Sequence, residues 1–185
     1  MDLVQDLLIS ALAVVVLFQH SWAGKGHFKS DTMPLGAILI VVVALVTGLL
    51  FLFLTWTSPQ PLLPWLVGLG SMLFSWWLFW RTIAASRQGG LRLAFDEAGP
   101  RTLVMQGPYR YVRHPFYVSY IFFWAGWTLA LWNWVALLPF VIVVAVYISA
   151  ARMEERKFAA TPMAADYERY RQSTGFFWPR LSSLR

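Results

Sequence analysis

The sequence predicts an all-α integral membrane protein with five transmembrane helices and a polar site at one membrane face. Three observations carry this. Of the 185 residues, 58% are hydrophobic and 13% are charged, with a mean hydropathy of +0.56, whereas soluble domains are about 25% charged. Five apolar stretches approach the roughly 20 residues that cross a bilayer core. Every lysine and arginine then falls in loops on one side of those crossings.

The first stretch, residues 3–18, is flanked by Asp2 and Asp6 rather than by a basic leader segment, so it is expected to remain in the mature protein and not to act as a signal peptide. The second and third cover residues 35–56 and 62–80, joined through Thr57, Ser58, Pro59 and Gln60. The fourth and fifth cover residues 117–131 and 135–150. Only Trp132, Asn133 and Trp134 separate them, which predicts a tight antiparallel hairpin with both tryptophans at a membrane interface. The length suits one domain over residues 1–185. Residues 1–80 read as a three-helix scaffold, and residues 81–185 as a loop, a helical hairpin and a C-terminal segment.

With five crossings, the loop containing Lys25 and Lys29, the loop at 81–113 and the segment 152–185 share a side. The other side carries Asp2 and Asp6. The positive-inside rule then puts the amino terminus outside and the carboxyl terminus in the cytoplasm. Topology and attraction to anionic membrane lipids account for the net charge of +6 and the pI near 10.0, so no nucleic-acid partner is expected.

There is no cysteine, and His20, His27 and His114 lack metal-ligand spacing, so no metal is expected. No Gly-x-Gly-x-x-Gly or Walker loop is present to cradle phosphates. Chemistry is therefore sought in the cytoplasmic segments. Gly89, Gly90, Gly99 and Pro100 make residues 86–101 irregular, and Gly107 and Pro108 break the chain again. The stretch "GPYRYVRHPFY" at 107–117 ends in a helix entrance, because Pro115 disfavours helix at His114 and suits the first helical position itself. The free N–H groups and positive dipole end there favour an anion. Arg110, Arg113, Tyr109, Tyr111 and Tyr117 also suit an interfacial belt, but their concentration in one Pro- and Gly-framed turn points to a site.

A second cluster, "ARMEERKF" at 151–158, lies at the exit of the fifth span. Glu154 and Glu155 oppose the dipole of a helix C-terminus, which Arg152, Arg156 and Lys157 could offset as neighbours. Adjacent helical residues project about 100° apart, so one glutamate is expected to face the bundle and the other water or a basic neighbour. A buried carboxylate there suits a positively charged ligand group. The hairpin brings the two clusters together.

"GPYRYVRHPFY", the hairpin, the "EE" pair and "DYERYRQSTGFFWPRL" together resemble the signature of integral-membrane methyltransferases that include isoprenylcysteine carboxyl methyltransferases and phospholipid N-methyltransferases. The resemblance spans residues 101–181 and implies S-adenosylmethionine as cofactor. By position it implies cofactor contacts at Arg101, Thr102, Leu103, Val104, Gly107, Tyr109, Arg113, His114, Pro115, Phe116, Tyr117, Glu154 and Glu155, and catalytic roles for Arg152, His114 and Glu154. Tyr109 and Tyr117 would pack on the adenosine, His114 and the helix entrance would meet ribose or carboxylate, and Glu154 would take the ammonium. Residues 166–178 would lie along the interface and close the site.

Two positions depart from the resemblance. Ser119 stands where family members often have glycine. Ala150 stands where the isoprenylcysteine branch carries an arginine, with Arg152 on another helix face. The expected activity is methyl transfer to a lipophilic acceptor entering from the bilayer, a prenylcysteine-type carboxylate ahead of phosphatidylethanolamine. The fourth helix offers Phe122, Phe123, Trp124 and Trp127 for the acceptor's tail or for packing. Positioning supplies most of the catalysis, whereas an ammonium acceptor also needs a base such as His114, Tyr109 or a glutamate. Two rivals are an NADPH-dependent sterol-type reductase, whose pattern continues His-Pro-Asn-Tyr where this chain has Phe116, and a non-catalytic membrane protein.

Overall fold

The structure, a computed structural model, describes residues 3–26, 35–87 and 102–180. The helices are α1 (Leu3–Gly26), α2 (Leu35–Thr57), α3 (Leu62–Ser86), α4 (Pro115–Leu131), α5 (Leu137–Ala159) and α6 (Ala164–Ser173), with single 3-10 turns at Gly107–Arg110 and Trp134–Ala136. Among the described residues the only β-type pairing is an isolated bridge between Val112 and Gly175. Most of the 86–101 loop lies outside the described residues.

Four helices, α1, α2, α3 and α5, are long and apolar enough to cross a membrane, whereas α4 is apolar but has 17 residues. That is about 25 Å of helix against a hydrocarbon core of roughly 30 Å. Three helices outrun the apolar stretches that announce them. α1 continues beyond Phe18, α3 beyond Trp80 and α5 beyond Ala150, because backbone hydrogen bonding does not stop where the side chains become polar. The last turn of α5 carries Arg156 and Lys157, which complement its dipole.

α4 is the buried centre. Phe123, Trp124 and Trp127 are fully enclosed. The two indoles stack with centroids 6.1 Å apart at 12°, and each spends its N–H inside the bundle, Trp124 on the Tyr147 hydroxyl at 3.0 Å and Trp127 on Thr55 Oγ1 at 3.1 Å. These three aromatics therefore pack between helices and offer nothing to a lipid tail. α3 lies closest to α4. A Cβ added to Gly68 would sit 2.3 Å from the Gly126 carbonyl oxygen, so glycine is what lets the backbones meet. Ser71 and Ser75 of α3 donate to the Phe122 and Ser119 carbonyls at 2.8 and 2.6 Å. Buried Ser119 turns its own hydroxyl back to Phe116 O at 2.7 Å, which satisfies it where glycine would need nothing.

The links at one end of the bundle are tied together. Gln60 donates to Asp6 at 2.7 Å, and Asn133 donates to Ser58 at 2.9 Å. Trp132 adopts the left-handed conformation at φ 45°, ending α4, and the Asn133 side chain accepts from Val135 N to start the next turn. The start of α4, the end of α5 and α6 gather at the opposite end.

Candidate active site

The site begins where the chain returns to α3. Gly107 has φ +60°, and a Cβ there would lie 2.7 Å from that of Ala85, so both conformation and space require glycine. The turn buries Tyr109, whose phenol is pushed well above its usual pKa by burial and then by the charge of Glu154. It stays neutral. Tyr170 of α6 donates to the Tyr109 carbonyl at 2.6 Å, tying α6 beneath the turn.

His114 is the N-cap residue of α4 and is buried. Its Nδ1 lies 3.3 Å from Glu154 Oε2, and its Nε2 lies 3.1 Å from Glu155 Oε1. Both glutamates thus reach the same ring, and Glu155 also meets a basic neighbour, Arg113, where the spacing on α5 predicts one glutamate toward the bundle and the other toward water or a basic neighbour. The reason is geometric. The two side chains do diverge, but the imidazole sits between them and presents a nitrogen at each edge. Burial alone would lower the His114 pKa, yet hydrogen bonds and charge from Glu154 and Glu155 outweigh it, and the value is raised. Both ring nitrogens can donate at once only from the protonated ring, which the raised value favours. Glu154 also accepts from the Tyr117 hydroxyl at 3.1 Å and keeps 27% of its side chain exposed.

Arg113 occupies the other side of Glu155, with Nε 2.7 Å from Oε1. Its Nη1 donates to the carbonyls of Arg171 and Thr174, and Phe176 lies over the guanidinium at 5.6 Å. Phe176 also meets the His114 ring at 5.0 Å. The dipole-opposing glutamates are thus offset by Arg113 and His114.

The remaining expected residues divide. Pro115 starts α4 as predicted. Phe116 is buried against Phe79 and Ile83 of α3. Thr102 is exposed, and Leu103 and Val104 are half-buried on the approach to Gly107, while Arg101 lies outside the described residues. Arg152 is exposed on α5, and no described contact joins it to His114 or the glutamates. Sequence reasoning missed Tyr120 and Tyr147, whose rings flank Tyr117 at 6.1 and 5.7 Å and extend the polar cluster into the bundle. The signal for Tyr120 was its position one turn after Tyr117; Tyr147 stands in an apolar run with no local cue. Among the described residues no group of three or more His, Asp and Glu side chains is arranged to hold a metal ion.

The segment containing the whole His114, Glu154 and Glu155 constellation matches phospholipid methyltransferases over residues 63–162, more than half of the chain. The chain belongs to the phospholipid methyltransferase family. No curated protein and no solved structure matches it. As a member of a membrane methyltransferase family with several membrane-length apolar helices, it is a multi-pass integral membrane protein. The phospholipid methyltransferase match takes in α3 from residue 63, the turn at Gly107, α4 and all of α5, and it stops before α6.

Proposed function

We propose that the protein transfers a methyl group from S-adenosylmethionine to a lipophilic acceptor at the cytoplasmic face of the membrane. The observation that carries this is the mixed constellation at the start of α4: a partly exposed Glu154 carboxylate, a phenol on Tyr117 and the His114 imidazole, whose pKa is raised by the two glutamates. A zwitterion that also carries a sulfonium and a flat base finds a partner there for each of its parts. Glu154 suits its ammonium, the free N–H groups of the first turn of α4 suit its carboxylate, and Tyr109 and Tyr117 suit its rings. When bound, the cofactor supplies a methyl group already activated by the sulfonium charge. The chain's task is then to hold and orient, and His114 does so by fixing both glutamates.

A prenylcysteine-type carboxylate is favoured as acceptor because it needs no base, and both nitrogens of His114 already face Glu154 and Glu155. A phospholipid amine is supported by Glu154, a partly exposed carboxylate in the position of a candidate base. Ala150 is completely buried, so the arginine of the isoprenylcysteine branch has no equivalent on that face.

Five crossings, with the amino terminus outside and the site cytoplasmic, accompany this reading. α4 supplies the fifth. Support comes from the Asp6–Gln60 and Ser58–Asn133 bonds at one end and from the arginines and lysines at the other. The experiment is transfer of labelled methyl from S-adenosylmethionine to a farnesylated cysteine, to phosphatidylethanolamine and to water-soluble analogues of each, alongside calorimetric titration with S-adenosylmethionine and NADPH. Transfer to a tailed acceptor only is expected. Binding of NADPH alone, or equal transfer to the tail-less analogues, would overturn the reading.

A further inference from the structure

We infer that Arg113 is a positioning residue that latches the C-terminal segment over His114, rather than a contact for cofactor or acceptor. Its cationic side chain invites the second reading, but Nε and Nη1 are already committed. Nε is held by Glu155 at 2.7 Å, Nη1 is shared between the carbonyls of Arg171 and Thr174, and 7% of the side chain is exposed. The backbone joins in. Arg113 N donates to Gly175 O at 2.8 Å, and Gly175 N donates to Tyr111 O at 3.3 Å.

What the latch holds is a wall of aromatics. Phe176 covers the His114 imidazole and the Arg113 guanidinium. Phe177 packs on Leu78, Val112 and Val118, and Trp178 reaches Phe122 at 6.4 Å. The segment therefore runs from α6 across the start of α4 to the α3–α4 face. Gly175 permits the course, since a Cβ there would lie 1.6 Å from the Trp178 carbonyl oxygen. The link to the site is a single atom. Glu155 Oε1 lies 2.7 Å from Arg113 Nε and 3.1 Å from His114 Nε2, so displacing the guanidinium loosens the carboxylate that holds one edge of the ring facing Glu154. The segment lies beyond the family match, which ends at residue 162.

The chain contains no cysteine, so Thr174→Cys in the otherwise unchanged full-length protein reports the latch directly, because Thr174 is 3% exposed. Maleimide labelling at this position should be slow with Arg113 present, at least about tenfold faster with Arg113→Met, and intermediate with Arg113→Lys, which keeps the charge but not the fork. Affinity for S-adenosylmethionine should fall by about tenfold in Arg113→Met and recover in part in Arg113→Lys; this arm rests on the function proposed above. Should Arg113→Met fail to fold, Gly175→Ala must give the faster labelling and weaker binding while leaving the guanidinium in place. Unchanged labelling with lost binding would make Arg113 a ligand contact. Faster labelling with unchanged binding would leave the latch without a role in the site. Both results overturn the inference. Failure of the unsubstituted protein to bind S-adenosylmethionine would sink the cofactor reading instead, and the labelling rates would still test the latch.

Discussion

His114 Nε2 and Glu155 Oε1 lie 3.1 Å apart while Glu154 approaches Nδ1 from the opposite edge at 3.3 Å, so one imidazole joins two neighbouring carboxylates to the start of α4. A neutral ring can donate from only one nitrogen. The arrangement is complete only when His114 is protonated.

That requirement gives a pH dependence. The folded-state pKa of His114 is raised above its ordinary 6.5, burial being outweighed by Glu154 and Glu155, with Arg113 and the Tyr117 hydroxyl completing the polar surroundings. A raised value means that the folded state holds the proton more tightly than the unfolded chain. The stabilisation is therefore fully present below about pH 6.5 and is lost as pH rises through the raised value. Thermal unfolding in detergent should show the parent's midpoint falling across this window relative to that of His114→Asn. Parallel curves for the two proteins would contradict the imidazolium.

The two glutamates should separate by phenotype. Glu154→Gln removes the more exposed carboxylate and should weaken S-adenosylmethionine binding by about 1.5–3 kcal/mol, the range of hydrogen bonds to charged groups, with a smaller loss of stability than Glu155→Gln. Glu155→Gln instead leaves Arg113 and His114 facing an amide. Breaking a pair this enclosed, with 7% and 17% of the side chains exposed, should cost about 3 kcal/mol of stability. Titration calorimetry and denaturation of both variants check the contrast, and equal effects on binding and stability would refute it.

The helices and the meeting of the two clusters were legible because they depend on local quantities: the length of apolar runs, a three-residue hairpin link, and a proline after His114. The shared grip of Glu154 and Glu155 was not, since a 100° offset between backbone directions ignores the reach of a glutamate and the width of an imidazole. Arg113 is harder to place for a different reason. Its carbonyl partners, Arg171 and Thr174, lie 58 and 61 residues further along the chain, and no spacing rule connects them. Arg152, which the resemblance implies by position, is exposed on its helix.

The contact between α3 and α4 predicts a sharp difference between two nearby glycines of α3. Alanine at Gly68 would bring its Cβ within 2.3 Å of a backbone oxygen on α4, and backbone cannot swing aside. Overpacking of this kind costs about 1–3 kcal/mol, more than the helix propensity of about 1 kcal/mol that alanine gains over glycine. A methyl group at Gly70 would meet nothing within 4 Å, so Gly70→Ala should be neutral or stabilising. Unfolding of the two variants in detergent measures the difference. A Gly68→Ala protein as stable as the Gly70→Ala one would mean that the helices do not meet there.

The status of α4 as a crossing fixes the sidedness of everything after it. If all five helices cross with the amino terminus outside, the α2–α3 and α4–α5 links are external and α6 is cytoplasmic. If α4 fails to cross, the α4–α5 link stays inside with the start of α4, and α6 moves outside. Single cysteines at Pro59, Trp134 and Ser173 distinguish these cases in a chain with no native cysteine. All three positions are exposed, Trp134 at 82%. An impermeant maleimide applied to intact cells should label Pro59→Cys and Trp134→Cys at once, and Ser173→Cys only after permeabilisation. Labelling of Pro59→Cys and Ser173→Cys with protection of Trp134→Cys would remove α4 from the crossings. Labelling of Ser173→Cys alone would reverse the orientation of the whole bundle, placing His114 and the glutamates where a cytoplasmic methyl donor could not reach them.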